Sequence, residues 1–230
     1  MSAPLSVVIP TLNAAETLGP TLAAVAEPLM EGLIREVILA DGGSEDDTAA
    51  IAEATGADMV AAPRGRGPQL SAGCAAAGGE WLLVLHADTM LPEGWAEVVR
   101  QHMRAHPDRA GWFRLRFDRG GVMARVVAGW ANLRSRLCAL PYGDQGLLIR
   151  RGLYERAGGY EEIPLMEDVA LVRRIGRRRL RGLPATVTTS AARYARDGWL
   201  RRGWRNLTTL ALYFMGRAPE KLAARYERGR

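Results

Sequence analysis

Lysine is all but missing from this 230-residue chain: Lys221 is the only one, so the net charge of +6 rests on arginine. Arginine grips phosphate through a planar two-toothed fork. A base composition rich in G and C raises arginine too, so the excess alone identifies no polyanion, and no nucleic-acid partner is expected. Cysteine is scarce as well. Cys74 and Cys138 lie far apart and match no metal-site spacing, which implies a reduced compartment with two structural thiols. No stretch of 18 uninterrupted apolar residues occurs, so no helix is expected to span a membrane. Met1 to Pro4 runs straight into a strand-like segment with no charged or apolar leader region. The expected location is the cytoplasm, with contact at the inner face of the membrane left open. Repeats, low-complexity stretches and dividing linkers are also lacking. What is present, 48% apolar and 24% charged residues, suits one ordinary domain with a sizeable core.

Apolar runs alternate with helix-forming segments along the first 90 residues. Leu5 to Ile9, closed by Pro10, reads as a buried strand. Ala14 to Met30 reads as a helix with Asn13 as its cap, and Glu36 to Ala40 as a second strand. A helix from Asp46 or Asp47 to Ala54, a strand from Asp58 to Ala62, a Gly/Arg loop from Pro63 to Pro68 and a helix from Gln69 to Ala77 follow. Trp81 to Leu85 is the fourth strand. This alternation is the pattern of parallel βαβ units. Beyond it the spacing predicts helices over 95–105, 123–137 and 169–175. It predicts strands over 111–117 and 145–150, and an edge strand over 183–188.

The richest segment is Trp81-Leu82-Leu83-Val84-Leu85-His86-Ala87-Asp88-Thr89. Its apolar part reads as a strand buried on both faces. Ligands of open α/β sheets bind at the carboxyl ends of such strands. His86 and Asp88, two apart, would point to one side of an extended chain. A carboxylate there can hold a divalent cation, which in turn can hold a diphosphate. Two other strand ends are polar, Pro10-Thr11-Leu12-Asn13 and Asp41-Gly42-Gly43-Ser44. Thr11, Asn13, Asp41 and Asp88 are therefore expected to converge on one ligand, with Gly42 and Gly43 permitting close backbone approach.

Arg64 and Arg66, flanked by glycine, suit phosphate, although the loop lacks the Gly-Lys-Ser/Thr of a P-loop. Asp168 shares a helix face with Leu171, Val172 and Ile175, so it is expected to point inward as a dipole partner or a general base, with Glu167 pointing elsewhere. Gly143-Asp144-Gln145-Gly146 offers polar groups and accessible backbone, suited to hydroxyl-rich ligands.

Val7 to Asn13, Asp41 to Thr48, His86-Ala87-Asp88 and Glu167-Asp168 stand in the order seen in family 2 glycosyltransferases. The resemblance covers residues 5 to 190. Leu85 to Thr89, Pro141 to Gly146 and Pro164 to Asp168 further resemble a bacterial subgroup described as radical-SAM/selenodomain-associated transferases. The resemblance implies an α/β, GT-A fold with a Rossmann-like, mostly parallel central sheet flanked by helices. It also implies a nucleotide-sugar donor, a divalent metal (Mn²⁺ or Mg²⁺) and an inverting mechanism. Thr11, Asn13 and Glu16 match the segment that holds the nucleoside. Asp41 with Gly42 matches the acid that reads the base, usually uracil. Arg66 matches the basic residue after the third strand, Asp88 the last acid of the Asp-X-Asp metal motif and Asp168 the catalytic base. His86 stands where the family usually has the first Asp of that motif, and histidine suits Mn²⁺ better than Mg²⁺. Gly143, Asp144, Gln145 and Glu167 complete the expected acceptor and sugar pocket.

The expected activity is therefore hexosyl transfer from a nucleoside diphosphate sugar to an acceptor hydroxyl. The alternatives are a nucleotidyltransferase of similar layout or a non-catalytic nucleotide-sugar sensor. A glycosyltransferase domain over 1–190 is expected to carry a helical extension over 191–230. In that extension tryptophans and arginines flank an apolar run from Leu207 to Met215. It is expected to cover the acceptor side of the site, and it suits packing on the domain, a homodimer surface or peripheral contact with an anionic membrane.

Overall fold

A computed structural model describes residues 3–228. Strands β1 (Leu5–Thr11), β2 (Ile34–Asp41), β3 (Asp58–Ala61) and β4 (Trp81–Val84) pair in parallel in the order β3-β2-β1-β4. Helices α1 (Ala15–Met30), α2 (Thr48–Thr55) and α3 (Arg66–Ala76) form the crossovers. The sheet continues from β4 through β7 (Leu147–Arg150), β6 (Ala110–Phe117) and β8 (Leu180–Thr189) to the two-residue β5 (Thr89–Met90). β4–β7, β6–β7 and β5–β8 are antiparallel, whereas β6–β8 is parallel. The sheet is thus mixed α/β and mostly parallel.

The alternation of side chains along β1 and β4 splits the core in two. Val7, Ile9, Leu83 and Leu85 face α1, α4 (Trp95–Ala105) and α5 (Val122–Cys138). Val8, Leu82 and Val84 face α3, α6 (Arg151–Arg156) and α7 (Glu167–Ile175). Both faces of the first strands are covered, which is why they read as unbroken apolar runs. Three further helices, α8 (Ala192–Asp197), α9 (Trp199–Phe214) and α10 (Pro219–Arg228), close the C-terminal end.

Several sequence expectations are corrected here. β1 runs through Pro10 to Thr11, because its pairing with β4 ends at Val8–Val84 and the missing proline N–H costs no bond on that side. Asn13 does not cap α1. It sits in the left-handed region at φ 49°, and α1 begins after Ala14 with its free N–H groups met from α2's side of the sheet. Ala14 N–H donates to Thr48 Oγ1 and Ala15 N–H to Asp46 Oδ2, both at 3.0 Å. Helix α3 starts at Arg66 and takes in Pro68, whose absent N–H is tolerated in a first turn. Gln145 lies in a 3₁₀ turn, Gly143–Gln145, ahead of β7. β8 is longer than the expected 183–188, and it lies at the sheet edge for most of its length, paired with β6 on one side and met by β5 only at Thr188 and Thr189.

A buried amide locks the site-bearing edge of the sheet. The Gln69 carboxamide donates from Nε2 to the carbonyls of Thr11 and, at 2.9 Å, Ala40, the closing residues of β1 and β2. Gln69→Leu would leave both carbonyls without that donor. It is expected to lower stability by about 1–3 kcal/mol, read as a lower urea midpoint at unchanged slope. An unchanged midpoint would show that water replaces the amide.

Candidate active site

Two loops at the ends of β1 and β2 are stitched into one unit by Asp41. Its Oδ1 accepts from the hydroxyls of Thr11 at 2.9 Å and Ser44 at 2.5 Å, and its Oδ2 from the N–H groups of Gly43 at 2.9 Å and Ser44 at 2.8 Å. Burial opposes the charge on Asp41, but hydrogen bonds led by those of Ser44 outweigh it and hold the carboxyl below its ordinary value. Asn13 completes the unit, its N–H donating to Ser44 Oγ at 2.8 Å and its Oδ1 accepting from Glu45 N–H at 2.9 Å. Gly42 donates to the Thr11 carbonyl at 2.9 Å and lies against Gln69. Glu16 is exposed in the first turn of α1.

The neighbouring strand end opens into a cavity of about 260 Å³. Arg66, His86, Asp88, Gly143, Asp144, Glu167 and Asp168 line one side. Thr11, Asn13, Glu16, Asp41, Gly42 and Gln145 are not part of that lining. The expected residues therefore form two adjoining groups on one sheet edge: a loop cluster at β1 and β2, and an acidic cavity beyond β4.

Asp168 is the second residue of α7. Its Oδ2 accepts from Gly143 N–H at 2.8 Å and its Oδ1 from its own helix at Val169 N–H, 2.7 Å. Glu167 does not point elsewhere, as its helical position had suggested. It is only 1% exposed and lies 3.6 Å from Arg66 Nη1. The turn before the helix explains the difference: Met166 adopts φ 70°, which rotates the chain so that both acids enter the cavity. A left-handed methionine costs on the order of 1–3 kcal/mol and persists because packing holds it. Arg66 reaches Glu167 because Gly67 lets the first turn of α3 lie against the backbone of Glu161 and Ile163, space that a Cβ would fill.

The charges are strained by burial. Glu167 is pushed above its ordinary value, first by loss of water and then by repulsion from Asp168, with Arg66 opposing both. Asp144 is raised to about 6, mainly by burial, with Arg134 opposing and Asp168 adding repulsion. Asp144 Oδ1 and Glu167 Oε1 are buried with no hydrogen-bond partner. His86 is held well below its ordinary value by burial and by repulsion from Arg66 and Arg193. Its Nε2 is buried beside Gly143 without a hydrogen-bond partner, and the residue lines the cavity with Asp88. Gln145 is fully buried and committed to structure. Its Oε1 accepts from Ser135 Oγ at 2.6 Å and its Nε2 donates to the Phe113 carbonyl at 3.2 Å. It shapes the Gly143 turn and does not face a ligand.

The sequence places the C-terminal segment over the acceptor side of the site but does not single out the residues that form this far wall. Arg193, Tyr194, Arg202, Asn206, Thr209 and Tyr226 come from α8, α9 and α10. Arg202 pairs with Asp197 at 2.7 Å and donates to Tyr226 Oη at 3.1 Å, and Tyr226 donates to Asn206 Oδ1 at 3.0 Å. Tyr194 stacks on Trp199 with ring centres 4.9 Å apart. The available signal was the spacing of Arg202, Asn206 and Thr209 on one face of α9.

Comparison with known proteins agrees with this geometry. The sequence profile of glycosyl transferase family 2 matches residues 6–145. Glucosyl-3-phosphoglycerate synthase of Mycolicibacterium paratuberculosis is 33% identical over 97 residues, covering 38% of this chain and 29% of that protein. The Mycolicibacterium smegmatis synthase is 36% identical over 98 residues, covering 39% and 32%. The matches thus span about a third of these relatives. Among solved structures, the Mycobacterium tuberculosis synthase in complex with Mn²⁺, UDP and glucosyl-3-phosphoglycerate aligns with a TM-score of 0.58 at 23% identity, over 82% of this chain and 70% of that one. S. aureus TarS aligns with a TM-score of 0.61 at 15% identity, over 90% and 64%. At these identities the structures show a shared fold, the GT-A arrangement.

The raised Asp144 makes a pH prediction. A carboxyl whose folded value exceeds its unfolded one stabilises fully below about pH 4 and loses that contribution as pH rises through about 6. Without divalent cations, Asp144→Asn is expected to melt above wild type at about pH 7.5 and level with it near pH 4. A variant that melts no higher at the upper pH would refute the burial of this charge.

Proposed function

As the chain belongs to glycosyl transferase family 2, we propose that it transfers a sugar from a nucleoside diphosphate sugar, foremost a UDP sugar, to an acceptor hydroxyl. In this reading it is a metal-dependent, inverting enzyme of the hexosyltransferase class. The observation that carries this reading is Asp168, oriented by two N–H donors in a cavity that also holds Arg66 and Asp88. The names of its relatives support the donor class: the mycobacterial structure holds UDP and Mn²⁺, and a TarS structure holds UDP-GlcNAc.

The residues present fit a divalent cation. Carboxylates crowd the cavity, and two of their oxygens are buried without a hydrogen bond. Among the described residues no group of three metal-type side chains forms a ready cage. That is the pattern expected where one or two carboxylates and the substrate phosphates share the ion. Asp88 and His86 would hold it, with Asp144 beside them. When bound, such an ion neutralises charge on a departing diphosphate.

The chain's own residues divide the remaining work. The loop cluster of Thr11, Asn13 and Asp41, with Gly42 giving close approach, receives the nucleoside. All four acceptor positions of Asp41 are already used, so a uracil N–H reaching it would replace the Ser44 hydroxyl. Arg66 faces the diphosphate. As the acceptor oxygen bonds to the anomeric carbon, the bond from that carbon to the phosphate oxygen breaks and Asp168 takes the acceptor's proton. The nucleoside diphosphate leaves, and attack from the opposite side inverts the centre. Glu167 holds Arg66, and Gly143 orients Asp168 and bounds the acceptor pocket. The place of action in this proposal is the cytoplasm, at the inner face of the membrane; among the described residues no helix is long and apolar enough to cross one.

Asp168→Asn is expected to cut turnover about 10²–10⁴-fold while UDP binding, followed by calorimetry, survives. Near-normal turnover would remove the base assignment. Asp88→Ala is expected to lose the gain in UDP affinity that Mn²⁺ gives wild type, with circular dichroism unchanged. Wild-type turnover that a chelator leaves untouched would remove the metal from the account.

A further inference from the structure

Exposed large apolar side chains are concentrated on two helices. α5 shows Val122, Val126, Trp130, Leu133 and Leu137 to solvent, and α9 shows Leu200, Trp204, Leu207 and Phe214. In each helix spacings of three, four or seven residues put them in a single stripe. α9 packs beside α5, so the stripes lie on adjoining helices. Trp130 is 49% and Trp204 70% exposed, unusual for the largest apolar side chain. Elsewhere among the described residues such side chains are scattered singly, at Met30, Met59 and Met90. Met215, at the end of α9, extends the patch.

The charge on these helices is of one sign. α5 and α9 contain six arginines and no aspartate or glutamate. Arg134 and Arg202 turn inward, while Arg125, Arg136 and Arg201 stay exposed beside the stripes. α9 therefore has two working faces: Arg202, Asn206 and Thr209 line the cavity, and the apolar stripe lies on the opposite side.

We propose that the outer face of α5 and α9 docks on an anionic lipid surface, its tryptophans and leucines entering the headgroup boundary while Arg125, Arg136 and Arg201 meet lipid phosphates. Apolar side chains flanked by arginine with no acid are complementary to such a surface. They are not complementary to themselves. A two-fold dimer through this face would set arginine against arginine with no acid to meet either. The proposal deepens the membrane-face location given above by naming the surface and the lipid chemistry.

Flotation of the full chain with phosphatidylglycerol–phosphatidylcholine vesicles, and with phosphatidylcholine alone, tests it. No nucleotide sugar is present, so failure here leaves glycosyl transfer standing, and failure of turnover leaves this result standing. The chain is expected to float with the anionic vesicles, to stay behind with the neutral ones, and to be released by salt. Trp130→Gln with Trp204→Gln should abolish flotation with circular dichroism unchanged, and Arg125→Gln should weaken it about fivefold. The proposal is overturned if the chain ignores anionic vesicles or if the variants float like wild type. It is equally overturned if light scattering shows a dimer that Trp204→Gln dissociates, which would assign the face to a second copy.

Discussion

Four carboxylates, Asp88, Asp144, Glu167 and Asp168, meet in one cavity, and like charges in so small a volume require a compensating cation. Arg66 supplies part of it and feels Glu167, Asp168 and Asp144 together. Its position depends on Gly67, which lets the first turn of α3 touch the backbone ahead of α7. Asp144 Oδ1 has no hydrogen-bond partner, and Glu167 Oε1 meets Arg66 only as an ion pair at 3.6 Å, so the acids outnumber the close compensation that Arg66 gives them. A diphosphate alone would add to this repulsion, whereas a divalent ion shared between diphosphate and Asp88 relieves it. The same electrostatic requirement thus links the ion pair, the strained Met166 turn and the proposed chemistry.

The parallel half of the fold was legible because β1, β2 and β4 are mostly buried and end in polar loops. Those two features put Thr11, Asp41 and Asp88 along one edge. The reading failed where long-range contacts override local pattern. Helical spacing aimed Asp168 inward and Glu167 outward, but it assumed a regular entry to α7; the left-handed Met166 brings both in. Asn13 had the composition of a cap, yet the capping groups came from Asp46 and Thr48, more than thirty residues away. Gln145 sat in a polar motif suited to a ligand, but Ser135 and Phe113 claim its amide.

The C-terminal helices illustrate the same limit. Tryptophan, arginine and leucine in α9 announced an amphipathic segment over the acceptor side, but not which of its polar residues would close the cavity. That role depends on a network joining Asp197, Arg202, Tyr226 and Asn206 across three helices. No single segment contains it. The cavity wall and the outward apolar stripe are therefore two consequences of one helix, and a change on either face acts on how the other is held.

The most direct test of the account is anomalous diffraction from crystals of the protein soaked with UDP and Mn²⁺. A manganese peak is expected within coordination distance of Asp88, next to the diphosphate and Arg66, with uracil against the Thr11 and Asp41 loops. A nucleotide bound elsewhere, or manganese away from Asp88, would contradict it.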